Sequence, residues 1–108
     1  MRSPITFNVR RGERIALLEF ELARPLSPKD LKTISPPDPV RERFADRILI
    51  ISGRGPIWLY GFLLEYYHPV KAVAFYDPRL NAGVVVASHT PSCEVGELVY
   101  VPEELWRA

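Results

Sequence analysis

Arg47-Ile-Leu-Ile-Ile-Ser52, Gly53-Arg54-Gly55-Pro56, Ile57-Trp-Leu-Tyr-Gly-Phe-Leu-Leu-Glu-Tyr-Tyr67, His68-Pro69, Lys71-Ala-Val-Ala-Phe-Tyr76 and Gly83-Val-Val-Val-Ala-Ser-His89 follow one another through the middle of the chain. Read in order they give strand, glycine turn, apolar helix, strand and, past Asp77-Pro78-Arg79, strand again. Strands 47–52 and 71–76 flank a single helix long enough for a crossover, so they are expected parallel, as a βαβ unit with a right-handed connection. Strand 83–88 follows a short turn and should run antiparallel to strand 71–76.

Outward from this unit the signals are shorter. Residues 5–9 alternate like an edge strand, and Arg14-Ile-Ala-Leu-Leu-Glu-Phe-Glu21 reads as a second strand across the turn Arg10-Arg11-Gly12-Glu13. Ser27, Pro28 and Asp30 make a helix-start signature. That helix must be short, because Ser35-Pro-Pro-Asp-Pro39 stops it. Glu97-Leu-Val-Tyr-Val101 is a further strand, and Pro102-Glu-Glu-Leu-Trp106 a terminal helical turn. The expectation is one domain over 1–108, of α+β class. It is a small mixed-sheet α/β sandwich of about five or six strands, resembling a minimal Rossmann-like or ferredoxin-like domain.

The helix lacks the polar stripe of a surface helix: only Glu65 is clearly polar. Burial on more than one side is expected, with a partner subunit on the second side; the alternative is that the tyrosine hydroxyls face water. Gly61 in mid-helix suits a close backbone approach, against the sheet or a second helix.

Composition narrows the class. The 108 residues suffice for one core, and a 47 % hydrophobic share argues against disorder. A formal net charge of +1 carries no mandate for long nucleic acid, though a local cluster can hold a small anion. The lone Cys93 excludes an internal disulfide and a cysteine-built metal site. No secretory leader is read at the start and the apolar run is too short to span a bilayer, so a cytoplasmic protein with no membrane partner is expected.

Polar residues gather at the joints. Gly53-Arg54-Gly55 sits between a strand and a helix N-terminus, where amides attract an anion and Arg54 offers forked donors to phosphate; the plain alternative is a turn with a surface arginine. His68 ends the helix, as a proton-transfer group or as a cap. Asp77-Pro78-Arg79 offers a carboxylate for base or metal work and an arginine for phosphate, or else only a turn. His89 ends the next strand. Two histidines do not make a histidine-cluster zinc site. Trp58 and Tyr60 read as core or interface residues rather than base platforms, the 41–47 charge run as a solvated face, and Cys93 as inert. The topology puts Gly53, Arg54, Asp77 and Arg79 at one end of the unit and His68 and His89 at the other. Six strand residues span about 20 Å, so no His68–Asp77 bond is expected within a chain. Either there are two sites, or one composite site forms between subunits.

At these residues the sequence resembles the small stand-alone CRISPR-associated ring nucleases of type III systems. The resemblance is carried by Gly53-Arg-Gly-Pro-Ile-Trp-Leu-Tyr-Gly61, Tyr67-His-Pro69, Tyr76-Asp-Pro-Arg-Leu80 and Val84-Val-Val-Ala-Ser-His89. It implies cleavage of cyclic tetra-adenylate, with the family's functional histidine, aspartate and arginine at His68, Asp77 and Arg79 and with His89 as a further candidate. It implies Mn2+ (Mg2+ as a substitute), with Asp77 as the metal-ligating residue. It also implies a homodimer, with head-to-tail stacking of dimers around the ligand. Phosphates would lie on Gly53, Arg54, Gly55 and Arg79. Family members have also been assigned RNA deadenylation. The leading expectation is therefore a phosphodiesterase that linearises a cyclic oligoadenylate and damps antiviral signalling. Its rivals are a manganese-dependent 3′-end exonuclease on short single-stranded RNA and a non-catalytic sensor of cyclic nucleotide.

Overall fold

A computed structural model describes residues 3–107. Six strands, β1 (Ile5–Arg11), β2 (Ile15–Leu22), β3 (Ile48–Ser52), β4 (Ala72–Asp77), β5 (Ala82–Ser88) and β6 (Leu98–Val99), form one sheet in sequential order. The centre β2–β3–β4 is parallel, and the flanking pairs β1–β2, β4–β5 and β5–β6 are antiparallel. Helix α1 (Ile57–Tyr66) connects β3 to β4, and helix α2 (Glu103–Arg107) closes the chain. The expected α+β sandwich with a central βαβ unit is the observed fold.

The apolar run of β3 is continuous because both faces of the sheet are covered. Leu49 and Ile51 join Ala16, Leu18, Phe20, Leu59, Leu63 and Tyr67 under α1. Ile48 and Ile50 point the other way, into a core with Leu17, Ala74, Val85, Val99 and Leu105 of α2. Burying each Leu, Ile or Val of these layers contributes about 1.5–3 kcal/mol.

Two elements differ from the expectation. The segment after Ser27 is a 3-10 helix (Pro28–Lys32), not an α-helix. The Asp30 carboxylate does accept the Ser27 backbone N–H at 2.8 Å, as the start signature requires, but none of its residues is buried and the prolines follow at once. The last strand is two residues long instead of the whole of 97–101. Gly96, at φ 96°, turns the chain into it, and beyond Val99 the chain leaves the sheet for α2.

The apolar girth of α1 is largely accounted for inside the chain. Its three tyrosine hydroxyls donate to backbone carbonyls: Tyr60 to Gly53 at 2.7 Å, Tyr66 to Pro36 at 3.0 Å and Tyr67, its C-terminal cap, to Pro37 at 2.8 Å. The proline loop is thereby stapled to the helix flank, and carbonyls that prolines leave without a sheet partner are satisfied. Burial pushes the Tyr67 phenol far up, so it stays a neutral donor. What remains outward is a narrow stripe, with Ile57 84 % exposed and Gly61 and Glu65 beside it. A Cβ on Gly61 would meet nothing within 4 Å. The expectation that the sheet approaches Gly61 closely is corrected: within the chain the glycine faces open space.

Candidate active site at two ends of the sheet

His68 follows the last turn of α1, where Pro69 prevents the helix from continuing. His89 follows β5, and its backbone N–H donates to the Lys71 carbonyl at 2.9 Å, so both histidines sit at the amino end of β4. Their rings stand edge to face with centroids 4.7 Å apart. Beside them a cavity of about 290 Å³ opens between α1 and the sheet, lined by Gly61, Leu64, Glu65, His68, Val73 and His89. Two exposed imidazoles beside a concavity can take a proton from one atom of a ligand and return one to another.

Asp77 ends β4 at the opposite end. The turn after it is closed by Leu80 N–H to the Asp77 carbonyl at 3.0 Å and by Asn81 N–H to the Pro78 carbonyl at 3.3 Å. The Asp77 carboxylate accepts the Arg79 backbone N–H at 2.9 Å and both arms of its guanidinium, Nε at 3.2 Å and the terminal nitrogen at 2.9 Å. Those bonds hold the Asp77 carboxyl below its usual range and raise the Arg79 guanidinium in turn. Arg79 itself is 87 % exposed in its side chain, a cation steered by Asp77 but open to an anion. Between this turn and the start of α1 runs an open groove of about 560 Å³ along Ile57, Tyr60, Phe75 and Pro78.

Gly53, Arg54 and Gly55 lie at the same end as Asp77, at the carboxyl end of β3. The glycines have a packing reason: a Cβ on Gly53 would come 2.6 Å from the Phe20 ring, and one on Gly55 would come 2.9 Å from Leu59. The Gly53 carbonyl is taken by Tyr60, and Arg54 is exposed. The turn is thus built for close approach of Phe20, with Arg54 as its outward cation.

The donors present do not fit a manganese site within one chain. Mn2+ prefers several hard oxygen or imidazole donors around one point. Among the described residues no three His, Cys, Asp or Glu side chains come together to hold an ion, and both Asp77 oxygens are already engaged by Arg79. Cys93 is buried, and burial pushes its thiol up, as befits a core residue. No described helix is long and apolar enough to cross a membrane.

The site residues named from sequence therefore fall into two groups, separated by the length of β4, about 17 Å at the usual strand rise. Sequence reasoning missed the wall of the histidine cavity, although Gly61, Glu65 and His68 share one face of a helical spacing.

The family described as CRISPR-associated protein (Cas_csx3) matches residues 19–100, and the chain belongs to it. An uncharacterized protein of Aquifex aeolicus (strain VF5) is 55 % identical over 83 residues, covering 77 % of this chain and 75 % of that protein.

Proposed function

We propose that this protein is a ring nuclease, a phosphodiesterase that linearises cyclic tetra-adenylate, with each active site assembled between two homodimers stacked head to tail. The observation that carries this reading is the separation of the two groups. His68 and His89 stand at one end of β4 and Asp77 with Arg79 at the other, so one chain cannot bring them to a single phosphate. Head-to-tail stacking sets the histidine end of one dimer against the arginine end of the next, and a flat cyclic ligand fits between them.

In the cleavage step one imidazole takes the proton of a ribose 2′-hydroxyl. The freed oxygen bonds to the adjacent phosphorus as the bond to the 5′-oxygen breaks, and the second imidazole gives its proton to that oxygen. The products are a 2′,3′-cyclic phosphate and a 5′-hydroxyl. Arg79, oriented by Asp77, and Arg54 neutralise the phosphate as charge builds. The step needs no metal. A divalent ion such as Mn2+ is not accommodated by the donors of one chain.

The exposed Ile57–Gly61 edge of α1 supports the dimer. Ile57 is exposed and Gly61 faces open space, a combination that suits a second copy's helix at close range. The test is product analysis after incubation with cyclic tetra-adenylate and with linear tetra-adenylate of the same composition. The reading predicts that the ring is opened to products with 2′,3′-cyclic phosphate ends. Shortening of the linear oligomer alone would establish a 3′-end exonuclease instead, and binding of the ring without turnover would establish a sensor.

A further inference from the structure

We propose that Tyr76 and Asn81 are positioning residues for the Asp77–Arg79 pair, with α2 as the brace behind them. The Tyr76 hydroxyl donates to Asn81 Oδ1 at 2.7 Å, tying the last strand residue before Asp77 to the residue that ends the turn. Asn81 sits in the left-handed region at φ 53°, a conformation that asparagine accepts and that reverses the chain into β5. The side-chain bond thus closes the turn alongside its two backbone bonds, and Asp77 and Arg79 lie between the tied ends.

Tyr76 is itself held from behind. Trp106 of α2 meets its ring edge-on, with centroids 5.1 Å apart. Helix α2 is fixed in turn by Leu105, buried in the core beneath Gly12, where a Cβ would come 3.3 Å from it. The Arg10 guanidinium donates to the Leu105 carbonyl at 3.1 Å while pairing with Glu19. Opposite Tyr76 in the sheet stands Gly83, whose Cβ would press on Ala74 and Ile50 at 3.1 Å. A chain of contacts therefore runs from the first strand through the C-terminal helix to the turn that aims Arg79.

The catalytic part of this proposal rests on the cleavage reading above; the positioning itself does not. Three variants separate the possibilities. Tyr76→Phe keeps the ring against Trp106 and removes the hydroxyl. Asn81→Gly keeps the left-handed backbone and removes the acceptor. Asn81→Asp keeps both backbone preference and acceptor. Hydrogen exchange at the Arg79 backbone amide and at its Nε–H, read by NMR, needs no activity. Tyr76→Phe and Asn81→Gly are expected to speed it about fivefold, the effect of one lost hydrogen bond, whereas Asn81→Asp leaves it as in the unaltered protein. Turnover of cyclic tetra-adenylate should fall about fivefold in kcat for the same two variants, with KM unchanged. If Arg79 exchange is unchanged in Tyr76→Phe and Asn81→Gly, the positioning role is overturned, whatever happens to kcat or to melting temperature. If exchange quickens as expected but the unaltered protein opens no ring, positioning stands and the cleavage reading fails.

Discussion

His68 and His89 arrive from different elements, one after α1 and one after β5, yet their rings stand edge to face with centroids 4.7 Å apart. Neither is buried, so nothing in the core requires the contact. The His89 amide bond to the Lys71 carbonyl fixes the end of β5 beside the start of β4, and the His68 turn closes over it.

From that pairing, His68→Ala should lower kcat for ring opening by about 10²–10⁴-fold, the usual worth of a general acid or base. Combining it with His89→Ala should add less than a second full factor, because the proposed cleavage uses both imidazoles in one step. Single-turnover measurements at saturating ligand check this. Turnover that survives both His68→Ala and Asp77→Ala would remove the assigned roles.

Gly53 separates packing from ligand binding. Since a Cβ there would come 2.6 Å from Phe20, Gly53→Ala should destabilise the fold by about 1–3 kcal/mol. Phe20→Leu in the same chain should recover part of that loss, as a double-mutant cycle in urea would show. A Gly53→Ala protein of unchanged stability that no longer binds the ligand would instead point to a cradle for phosphate.

Gly61 should behave in the opposite way. Its Cβ meets nothing in the chain, so Gly61→Ala should stabilise the monomer by about 1 kcal/mol through helix propensity alone. If a second copy packs at this stripe, Gly61→Leu should shift the sedimentation profile toward monomer. A dimer insensitive to that change packs elsewhere.

Strong acid should weaken the segment before the proline loop. Arg24, bonded through both guanidinium arms at 3.0 and 3.1 Å, and the Ser27 amide lower the Asp30 carboxyl from 3.8 to about 2. The folded state thus binds this proton less readily than the unfolded chain, so the stabilisation is complete above pH 3.8 and is lost as pH falls through about 2. In Asp30→Asn that part of the pH dependence should vanish, leaving stability flatter between those values in acid titrations followed by circular dichroism.

Much of this fold was legible in the sequence because its centre uses long, continuous signals. The run 47–52 reads as the first parallel strand of the crossover unit and forms β3 over Ile48–Ser52, and the helix between β3 and β4 ends within a residue of the expected place. Shorter elements were less legible. Two residues of β6 pair where five were expected, since strand propensity at Tyr100 and Val101 yields to the path the chain takes into α2. Tyr66 and Tyr67 bond the carbonyls of Pro36 and Pro37 in a proline loop that lies far away in sequence, a long-range match that periodicity does not encode. The split of the candidate site follows from strand direction and was legible; the histidine contact and the Tyr76–Asn81 tie depend on side-chain geometry and were not.

In the proposed assembly each site takes its histidines from one dimer and its Asp77–Arg79 pair from another, and mixing two inactive variants probes that arrangement. His68→Ala and Asp77→Ala proteins are each prepared as homodimers, shown inactive, and then combined with cyclic tetra-adenylate. A stack of one variant on the other unites an intact His68 end with an intact Asp77 end at one interface. The mixture should regain a substantial part of the unaltered turnover, with a rate that rises faster than linearly with protein. A mixture as inactive as its components, with dimers of both variants still binding the ring, would contradict that arrangement.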